Sequence, residues 1–349
     1  MTSKSEGDQA PRALRVESLA GRRAPKKKQF IPVASDVLLA ERPLDFDVYV
    51  LARDGRTLEV LFHEGEHVSD AVRESIKSEA FPRHCYVCGD KKDALLQYQE
   101  GVVSEILEDE SVAIDHKCSL VRDLTTLLSQ EIFEDPRRDN ILRQQRHVRR
   151  VVDFAIREPL ALRGLTALTH HDYYTYTHSV NVGLYALSIA VVHYKGRLES
   201  HDLHEIAAGF FLHDVGKCRV RPGIINKADS LTEEEWEEMR KHPSFGNQIL
   251  REEDCLSHEI SVIVMQHHER ADGRGYPRGL RGDDIHPYAR VCKVADAYDA
   301  LTTNRAYKRA STPFRALQTM RHDMHTQFDP EVFKTFVLMK KKRDGGSSS

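Results

Sequence analysis

The chain has 349 residues, of which 30% are charged, and its formal net charge is only −3. A chain of this length can form two domains with a sizeable core, and the near balance of charge gives no electrostatic case for a protein that binds DNA as a whole. The most apolar run, Val182 to Val192, is shorter than the ~18 residues that a membrane span needs, and no signal-peptide pattern opens the chain. These features predict a cytoplasmic protein with no membrane insertion and no DNA partner.

The first segment, residues 1–29, is predicted to be a disordered basic tail. Few apolar residues separate its positive charges, and such a composition favours a solvated segment over a specific docking arm. The charges belong to Arg12, Arg15, Arg22, Arg23, Lys26, Lys27 and Lys28.

Residues 30–100 are predicted to form a small α+β domain. The β-rich runs at 47–52 and 58–62 flank Asp54-Gly55, which is a hairpin signal, and a helical pattern begins at Ser69. No catalytic constellation is present in this segment. We therefore interpret it as a sensory or dimerising domain, whose input the sequence does not reveal.

The chain has six cysteines, and only Cys85 and Cys88 have the Cys-x-x-Cys spacing. The residues from Cys85 to Cys88 are also a candidate strand. A single pair without a second pair or a nearby histidine cluster is weak evidence for zinc or redox chemistry. We interpret the two residues as ordinary reduced thiols.

Residues 101–159 are predicted to form a helical linker that connects two domains and transmits a signal between them. Leucines recur at intervals of three and four residues, as expected of one buried stripe; they are Leu120, Leu124, Leu127 and Leu128. The segment from Arg137 to Arg150 is strongly basic, and we interpret it as a solvated helix face.

The remainder, residues 160–341, is predicted to be a succession of helices without strands, followed by a flexible tail at 342–349. Thr232 and Glu235 have the spacing of a capping box. Gly216 offers a helix stop. The predicted fold class is therefore mainly α, with a helical carboxy-terminal domain after the small α+β domain and the linker.

Histidines and aspartates recur along these helical patterns. The chain has 19 histidines, so a single one means little. An apolar face that ends at Phe211 leads directly into the doublet His213-Asp214, whose carboxylate has two oxygens and can bridge two metal ions. The full set exceeds the ligands of one tetrahedral zinc and suits two first-row transition ions. Its members are His178, His213, Asp214, His242, His267, His268 and Asp296.

The same residues lie in motifs that resemble the HD-GYP family of bacterial second-messenger hydrolases. In the order of the family, the motifs are His-Ser-Val-Asn-Val (178–182), His-Asp-Val-Gly-Lys (213–217), His-Pro-Ser-Phe-Gly (242–246), His-His-Glu-Arg-Ala-Asp-Gly-Arg-Gly-Tyr-Pro (267–277) and Ala-Asp-Ala-Tyr-Asp-Ala-Leu-Thr (295–302). The resemblance covers roughly residues 170–325. It implies an all-helical HD-GYP bundle at 160–341.

The resemblance implies that all seven candidates are metal ligands, with Asp214 as the bridging one. It implies two divalent transition ions, with iron as the usual metal of the family and manganese as an alternative; zinc, nickel and cobalt also bind histidine-rich sites, so the metal stays open. Some family members hold a third metal through a glutamate four residues before the first histidine. Here that position is Tyr174, a poor ligand, so two ions are predicted unless Asp172 substitutes.

The resemblance also implies a mechanism. A hydroxide that bridges the two ions attacks phosphorus in line with the departing ribose 3′ oxygen. Asp214 and Lys217 are the predicted catalytic residues. The predicted substrate-binding residues are Lys217, Arg305 and Lys308, which contact phosphates, and Tyr276, which stacks on or hydrogen-bonds the ligand.

Other residues near these motifs are predicted to act indirectly. Asp299 follows Asp296 by one turn and is positioned to orient a ligand imidazole, and Glu269 and Asp272 are interpreted as residues that order their loop. The loop at 226–232 departs from the Lys-Pro-Gly that family members often carry. Because this loop is expected to border the substrate entrance, the sequence does not define how the substrate enters.

The leading hypothesis is a metal-dependent phosphodiesterase that hydrolyses cyclic di-GMP to pGpG, with further hydrolysis to GMP left open. The alternative is a catalytically weak module that binds cyclic di-GMP and signals through a protein partner. A third hypothesis keeps the metal site and changes the substrate to a hybrid cyclic dinucleotide, a nucleoside triphosphate or guanosine tetraphosphate. The Gly-Tyr-Pro sequence argues against the last two substrates. A homodimer is a further candidate assembly.

Overall fold

The computed structural model describes most of the chain beyond the basic segment. The described residues are 29–52, 55–78, 80–158, 160–167, 175–225, 227, 229–304 and 309–344, with side chains up to Lys341. The tails predicted at 1–29 and 342–349 lie almost entirely outside this set. The chain divides into two compact units after Leu124, within the segment that the sequence predicts as a linker.

The first unit contains a four-stranded antiparallel sheet and helices. Its elements are β1 (Phe30–Ala34), β2 (Val48–Leu51), β3 (Leu58–Phe62), α1 (Asp70–Lys77), β4 (His84–Cys88), α2 (Lys92–Glu108) and the first part of α3 (Ile114–Glu134). The strands lie in the order β1-β4-β2-β3, and every neighbouring pair is antiparallel. The strands predicted at 47–52, 58–62 and 85–88 and the helix predicted after Ser69 are confirmed.

Strand β1 has no counterpart among the predicted elements. It contains Pro32, and a proline inside an apolar run argues against a strand unless the strand lies at a sheet edge. Strand β1 is such an edge, because it pairs with β4 on one side and is the first strand of the sheet order. The physical exception to the proline rule therefore explains why the sequence pattern did not reveal it.

The two cysteines of β4 are buried and free. Burial raises the pKa of the Cys85 thiol to about 12, so this thiol stays protonated at neutral pH. Among the described residues, no group of candidate metal ligands contains a cysteine. The interpretation of Cys85 and Cys88 as ordinary thiols stays a prediction.

All regular elements among the described residues of the second unit are helices. Its elements are the end of α3, α4 (Arg138–Arg157), α5 (Ala161–Ala167), α6 (Thr175–His193), α7 (Leu203–Leu212), α8 (Pro222–Ile225), α9 (Glu233–Met239), α10 (His242–Glu252), α11 (His258–Gln266), α12 (Pro287–Thr302), α13 (Pro313–His322) and α14 (Pro330–Asp344). The described residues of this unit contain no β-strand, and the mainly α fold class is confirmed. None of the described helices combines the length and apolar character that crossing a membrane requires.

The helix starts follow local sequence signals. The Thr232 hydroxyl accepts a hydrogen bond from the Glu235 amide, and the Glu235 carboxylate accepts one from the Thr232 amide, which confirms the predicted capping box of α9. Asp202 caps α7 by accepting hydrogen bonds from the amides of His204 and Glu205. Each cap satisfies amides that the first helical turn leaves unpaired and contributes about 1 kcal/mol.

The prediction that Gly216 ends a helix is wrong, and this glycine has a different role. Helix α7 ends at Leu212, and Gly216 lies inside the 3-10 turn Val215–Arg219 that follows. A Cβ at this glycine would lie 2.0 Å from the His242 carbonyl oxygen and 2.3 Å from the Gly246 amide nitrogen. Gly216 therefore permits close packing of the turn against α10.

An apolar core lies behind this turn. Leu212 and Val215 pack with Ile141 of α4 and Ile249 of α10 in one buried cluster, and α4 packs on α7. The opposite side of α4 carries exposed arginines, including Arg146 and Arg150. The helix thus has the solvated basic face that the sequence predicts.

Helix packing brings side chains of separate sequence motifs to one region of this unit. Helix α6 packs against α7 and α12, α11 packs against α7, α10 and α12, and the 3-10 turn after α7 packs against α10. Four of these helices place an end at the same point, because ridges of apolar side chains lock the helices together along their shared faces.

Candidate metal centre

Each candidate ligand lies on, or next to, one of these packed helices. His178 lies in the first turn of α6, and Asp296 lies in α12. The remaining candidates lie at helix ends: His213 and Asp214 follow α7, His242 begins α10, and His267 and His268 follow α11. Six of the seven side chains are buried, and His268 is partly buried.

The seven side chains form two groups. One group consists of Asp214, His242, His267 and His268, and the other consists of His178, His213 and Asp296. Within each group the candidate ligand atoms lie within 4.8 Å of one another. The structure thus brings together all seven residues that the sequence singles out.

The Asp214 carboxylate lies between the two groups. Its Oδ1 lies 3.2 Å from His242 Nε2 and 3.7 Å from His267 Nε2. Its Oδ2 lies 3.4 Å from His213 Nε2 and 3.6 Å from His178 Nε2. One oxygen therefore faces each group, which is the arrangement that a bridging carboxylate requires.

Asp296 also faces both groups, which the sequence interpretation did not include. Its Oδ1 lies 3.2 Å from His178 Nε2, and its Oδ2 lies 3.7 Å from His268 Nδ1. The second carboxylate thus spans the same gap as Asp214 from the side of α12.

Backbone carbonyls orient three of the imidazoles. The Nδ1 atoms of His213, His242 and His267 lie 2.8, 2.7 and 2.9 Å from the carbonyl oxygens of Phe210, Met239 and Val264, respectively. An Nδ1–H that donates to a carbonyl leaves the Nε2 lone pair free and directs it away from the helix. All three Nε2 atoms then point at Asp214.

The fourth imidazole, His178, is oriented by a carboxylate. Its Nδ1 lies 2.7 Å from Asp299 Oδ2. The other oxygen of Asp299 accepts hydrogen bonds from the Asn181 amide at 2.8 Å and the Thr303 hydroxyl at 3.1 Å. This places Asp299 where the sequence predicts it, and it identifies Asn181 and Thr303 as its supports. The sequence analysis did not single out these two residues. The signal that could have found them is their spacing, because Asn181 follows His178, and Thr303 follows Asp299, by about one helical turn.

The donor set fits a pair of cations. His213 Nε2 and Asp214 Oδ1 are buried without a hydrogen-bond partner among the described residues, which is costly unless another group satisfies them. His242 Nε2 and His267 Nε2 lie 3.2 Å apart, and two lone pairs at this distance repel unless a cation lies between them. Imidazole nitrogens with carboxylates that span two groups suit first-row transition ions.

Protonation states also favour metal binding. Burial lowers the pKa of His267 to about 4 and lowers the pKa of His268 well below its usual value. Burial by itself raises the pKa of Asp214, but the Lys217 ammonium and His213 outweigh it and hold that pKa well below its usual value. His267 and His268 are thus neutral and Asp214 is charged at neutral pH, and these are the forms that bind metal.

Two ammonium groups lie beside the carboxylates. Lys217 Nζ lies 2.5 Å from Asp214 Oδ2, and Lys293 Nζ lies 3.8 Å from Asp296 Oδ2. Lys217 is where its motif predicts it. Lys293 was missed, although its position one helical turn before Asp296 was a signal for it.

The loop after His268 covers one side of the centre. The Tyr276 ring stacks on the His268 ring, with centroids 4.7 Å apart and an interplanar angle of 26°. The Glu269 carboxylate accepts hydrogen bonds from the amides of Arg278 and Leu280. A Cβ at Gly275 would lie 2.5 Å from the Arg270 nitrogen, so a glycine is required there.

Comparison with known proteins identifies the unit that carries this centre. The family described as HD domain matches residues 167–332. This part of the chain belongs to the HD-domain family. The resemblance to HD-GYP proteins that the motifs carry is confirmed by the relatives that match.

The chain has curated relatives in several bacteria. It is 39% identical over 184 residues to a cyclic di-GMP phosphodiesterase of Pseudomonas aeruginosa, a match that covers 52% of this chain and 43% of the relative. It is 35% identical over 160 residues to a 3′3′-cGAMP-specific phosphodiesterase of Vibrio cholerae, covering 46% of this chain and 34% of the relative. The chain therefore spans less than half the length of these two curated relatives.

A solved structure shares the fold over a longer stretch. The HDG"Y"P protein Bd1817 of Bdellovibrio bacteriovorus matches with a TM-score of 0.64 and 20% identity, over 89% of this chain and 99% of that protein. The matched part of this chain is longer than residues 167–332, so the likeness in fold extends to residues that precede the HD domain.

Some residues of the HD domain that the sequence singles out lie outside the described residues. They are Arg305 and Lys308, predicted to contact phosphates, Tyr174 and Asp172, which bear on a third metal, and Asn226 and Ala228 of the departing loop. Their roles stay predictions.

We expect the metal-free HD domain to lose stability as the pH falls from 7 to 5. Burial lowers the pKa of His267 to about 4 in the folded chain, against about 6.5 for an unperturbed histidine, so the unfolded chain binds the proton more readily and acid favours unfolding. Between pH 7 and 5 this residue alone costs about 2 kcal/mol, and His268 acts in the same direction. Denaturant unfolding of metal-free protein at several pH values measures the loss.

The matched control for this pH dependence is the exposed His325. His325→Gln is expected to retain the full loss of stability, whereas His267→Gln reduces it. Equal pH dependence in the parent and His267→Gln proteins would contradict the assignment.

Proposed function

We propose that this protein is a metal-dependent phosphodiesterase that hydrolyses cyclic di-GMP to pGpG, with further hydrolysis to GMP as an open second step. The observation that carries the proposal is the placement of Asp214, whose two oxygens face two groups of imidazoles. Two metal ions held in this way would supply a water of lowered pKa and neutralise charge on the phosphate.

The side chains around the metal groups suit a phosphodiester. Each phosphodiester of cyclic di-GMP carries one negative charge, and Lys217 and Lys293 place two ammonium groups beside the carboxylates that span the centre. Each ammonium group can donate a charge-assisted hydrogen bond to a phosphate oxygen in place of part of its contact with the carboxylate. These lysines thereby bind and orient the phosphate, and Arg305 and Lys308 are proposed to contact phosphate as well.

Tyr276 is proposed to close the site over the substrate. Burial raises the pKa of its phenol, so the hydroxyl keeps its proton at neutral pH and can donate a hydrogen bond to a phosphate oxygen. Its stacking on His268 holds the ring at the centre. The same packing excludes water from one side of the reacting phosphate.

Iron is the proposed metal, and manganese is the alternative. The basis is the resemblance to the HD-GYP family together with a donor set of imidazoles and carboxylates, which both metals accept. Metal analysis of anaerobically purified protein distinguishes the two. The cytoplasmic location, the homodimer and the signalling partner stay predictions.

A hybrid cyclic dinucleotide is the second candidate substrate. It is favoured by the match to the Vibrio cholerae enzyme whose name specifies 3′3′-cGAMP. Both dinucleotides contain at least one guanine and two phosphodiesters, so the metal groups and the lysines do not discriminate between them. The two substrates differ only in one purine base, so contacts to that base determine which of them the protein prefers.

Hydrolysis by the full chain tests the proposal. Anaerobically purified, metal-loaded protein is incubated with cyclic di-GMP or 3′3′-cGAMP, and the products are separated by chromatography. We expect linear dinucleotide to appear with metal-loaded protein and not with chelator-treated protein. Folded, metal-replete protein that leaves both substrates intact would overturn it, and tight binding without turnover would favour the signalling module.

A further inference from the structure

A flat aromatic side chain is exposed next to the metal centre and has no part in the mechanism above. Trp236, in α9, is the one tryptophan of the chain, and 41% of its surface is exposed. The Arg240 guanidinium lies over its ring, with Cζ 5.7 Å from the ring centroid. Arg240 forms no ion pair with the described residues. We call these two side chains the Trp236–Arg240 platform.

The platform lies close to the metal groups. The carbonyl oxygen of Met239, the residue before Arg240, lies 2.7 Å from Nδ1 of the candidate ligand His242. Arg240 also lies near the Tyr276 phenol: burial raises the pKa of that phenol, and the Arg240 charge acts against the rise. The Tyr276 ring also lies next to the candidate metal ligands that this stretch of chain leads to, with its centroid 6.3 Å from that of His242.

A purine base matches this arrangement. An exposed tryptophan presents a face on which a base stacks, and such stacking contributes roughly 1–3 kcal/mol per base. A guanidinium next to it can donate two hydrogen bonds to the O6 and N7 atoms of guanine. Arg240 is free to do so because no described carboxylate holds it.

We propose that the Trp236–Arg240 platform binds one purine base of a cyclic dinucleotide whose phosphate lies at the metal centre. This inference rests on the proposed function, since it assigns a place to a base of that substrate. It makes Trp236 and Arg240 residues that determine affinity and base preference, while the metal groups act on the phosphate.

Tryptophan fluorescence tests the contact directly. Because Trp236 is the sole tryptophan, all tryptophan emission of the protein comes from the platform. We expect saturable quenching by cyclic di-GMP and by GMP, and none by ribose 5-phosphate, which carries phosphate without a base. Arg240→Gln is expected to weaken the quenching by GMP. Emission that no guanine nucleotide changes would overturn the proposal.

Steady-state kinetics provide the second test. Trp236→Ala is expected to raise the KM for cyclic di-GMP roughly tenfold or more, an increase that exceeds any fall in kcat, and Trp236→Phe is expected to restore most of the loss because it keeps a stacking face. The matched control is Phe314→Ala, since Phe314 is also an exposed aromatic residue of this unit, with 70% of its surface exposed. This control is expected to leave KM unchanged.

The two tests separate the platform from the proposed function. Quenching by guanine nucleotides in a protein that hydrolyses none of them would support the platform and overturn the phosphodiesterase. Hydrolysis with the same KM in the parent and Trp236→Ala proteins, at unchanged thermal stability, would support the phosphodiesterase and overturn the platform.

Discussion

The Asp214→Asn variant is expected to lose almost all hydrolysis of cyclic di-GMP and to bind less metal. Asparagine has the size of aspartate but carries no charge, and its amide nitrogen is not a ligand. Oδ1 and Oδ2 of Asp214 face different imidazole groups, so the substitution weakens both groups at once. Metal ions supply several kcal/mol of charge stabilisation in such reactions, which corresponds to a fall in kcat of roughly 1000-fold.

Metal content and turnover measured on the same sample test this expectation. Protein reconstituted anaerobically is analysed for bound metal and assayed for product. The control is Asp283→Asn, whose side chain is fully exposed, and it is expected to match the parent in both measurements. An Asp214→Asn protein with full metal content and undiminished turnover would contradict the bridging role.

The Gly216→Ala variant is expected to lose about 3 kcal/mol or more of its free energy of unfolding and much of its metal affinity. The new Cβ would lie 2.0 Å from the His242 carbonyl oxygen and 2.3 Å from the Gly246 nitrogen. Backbone atoms cannot rotate away as a flexible side chain does, and overpacking commonly costs 1–3 kcal/mol and sometimes more. To relieve the clash, the turn that carries Asp214 must move away from α10, which carries His242.

Gly223→Ala is the matched control for this prediction. Gly223 lies in the short helix α8 of the same unit, and a Cβ there would meet no atom within 4 Å. We expect its free energy of unfolding to stay the same or to rise by less than about 1 kcal/mol. Denaturant unfolding and metal titration of both variants measure the difference, and equal values for the two would show that the turn tolerates a side chain at Gly216.

The helical half of the fold was largely predictable, because its signals are local. The capping box of Thr232 and Glu235 depends on contacts within one turn, and the apolar face before His213 depends on helical periodicity. The edge strand β1 was not predictable in the same way. The position of Pro32 at a sheet edge depends on how β1 pairs with β4, and that partner lies more than fifty residues away in the chain.

The candidate centre was predictable in its members and not in its geometry. The motifs contained all seven side chains, because the resemblance to the HD-GYP family depends on residue types and order. The spanning position of Asp296 and the hydrogen bond from Asn181 to Asp299 were missed. Each depends on the packing of α6 against α12, which no motif encodes.

The amino-acid sequence by itself determined which side chains this protein can offer to metal ions, together with the helices that carry them, because residue identity and periodicity are properties of short segments. Only the tertiary structure decided which oxygen of Asp214 faces which imidazoles and why Gly216 admits no side chain. The physical reason is that these relations are distances between segments far apart in the chain, and close packing of whole helices sets them.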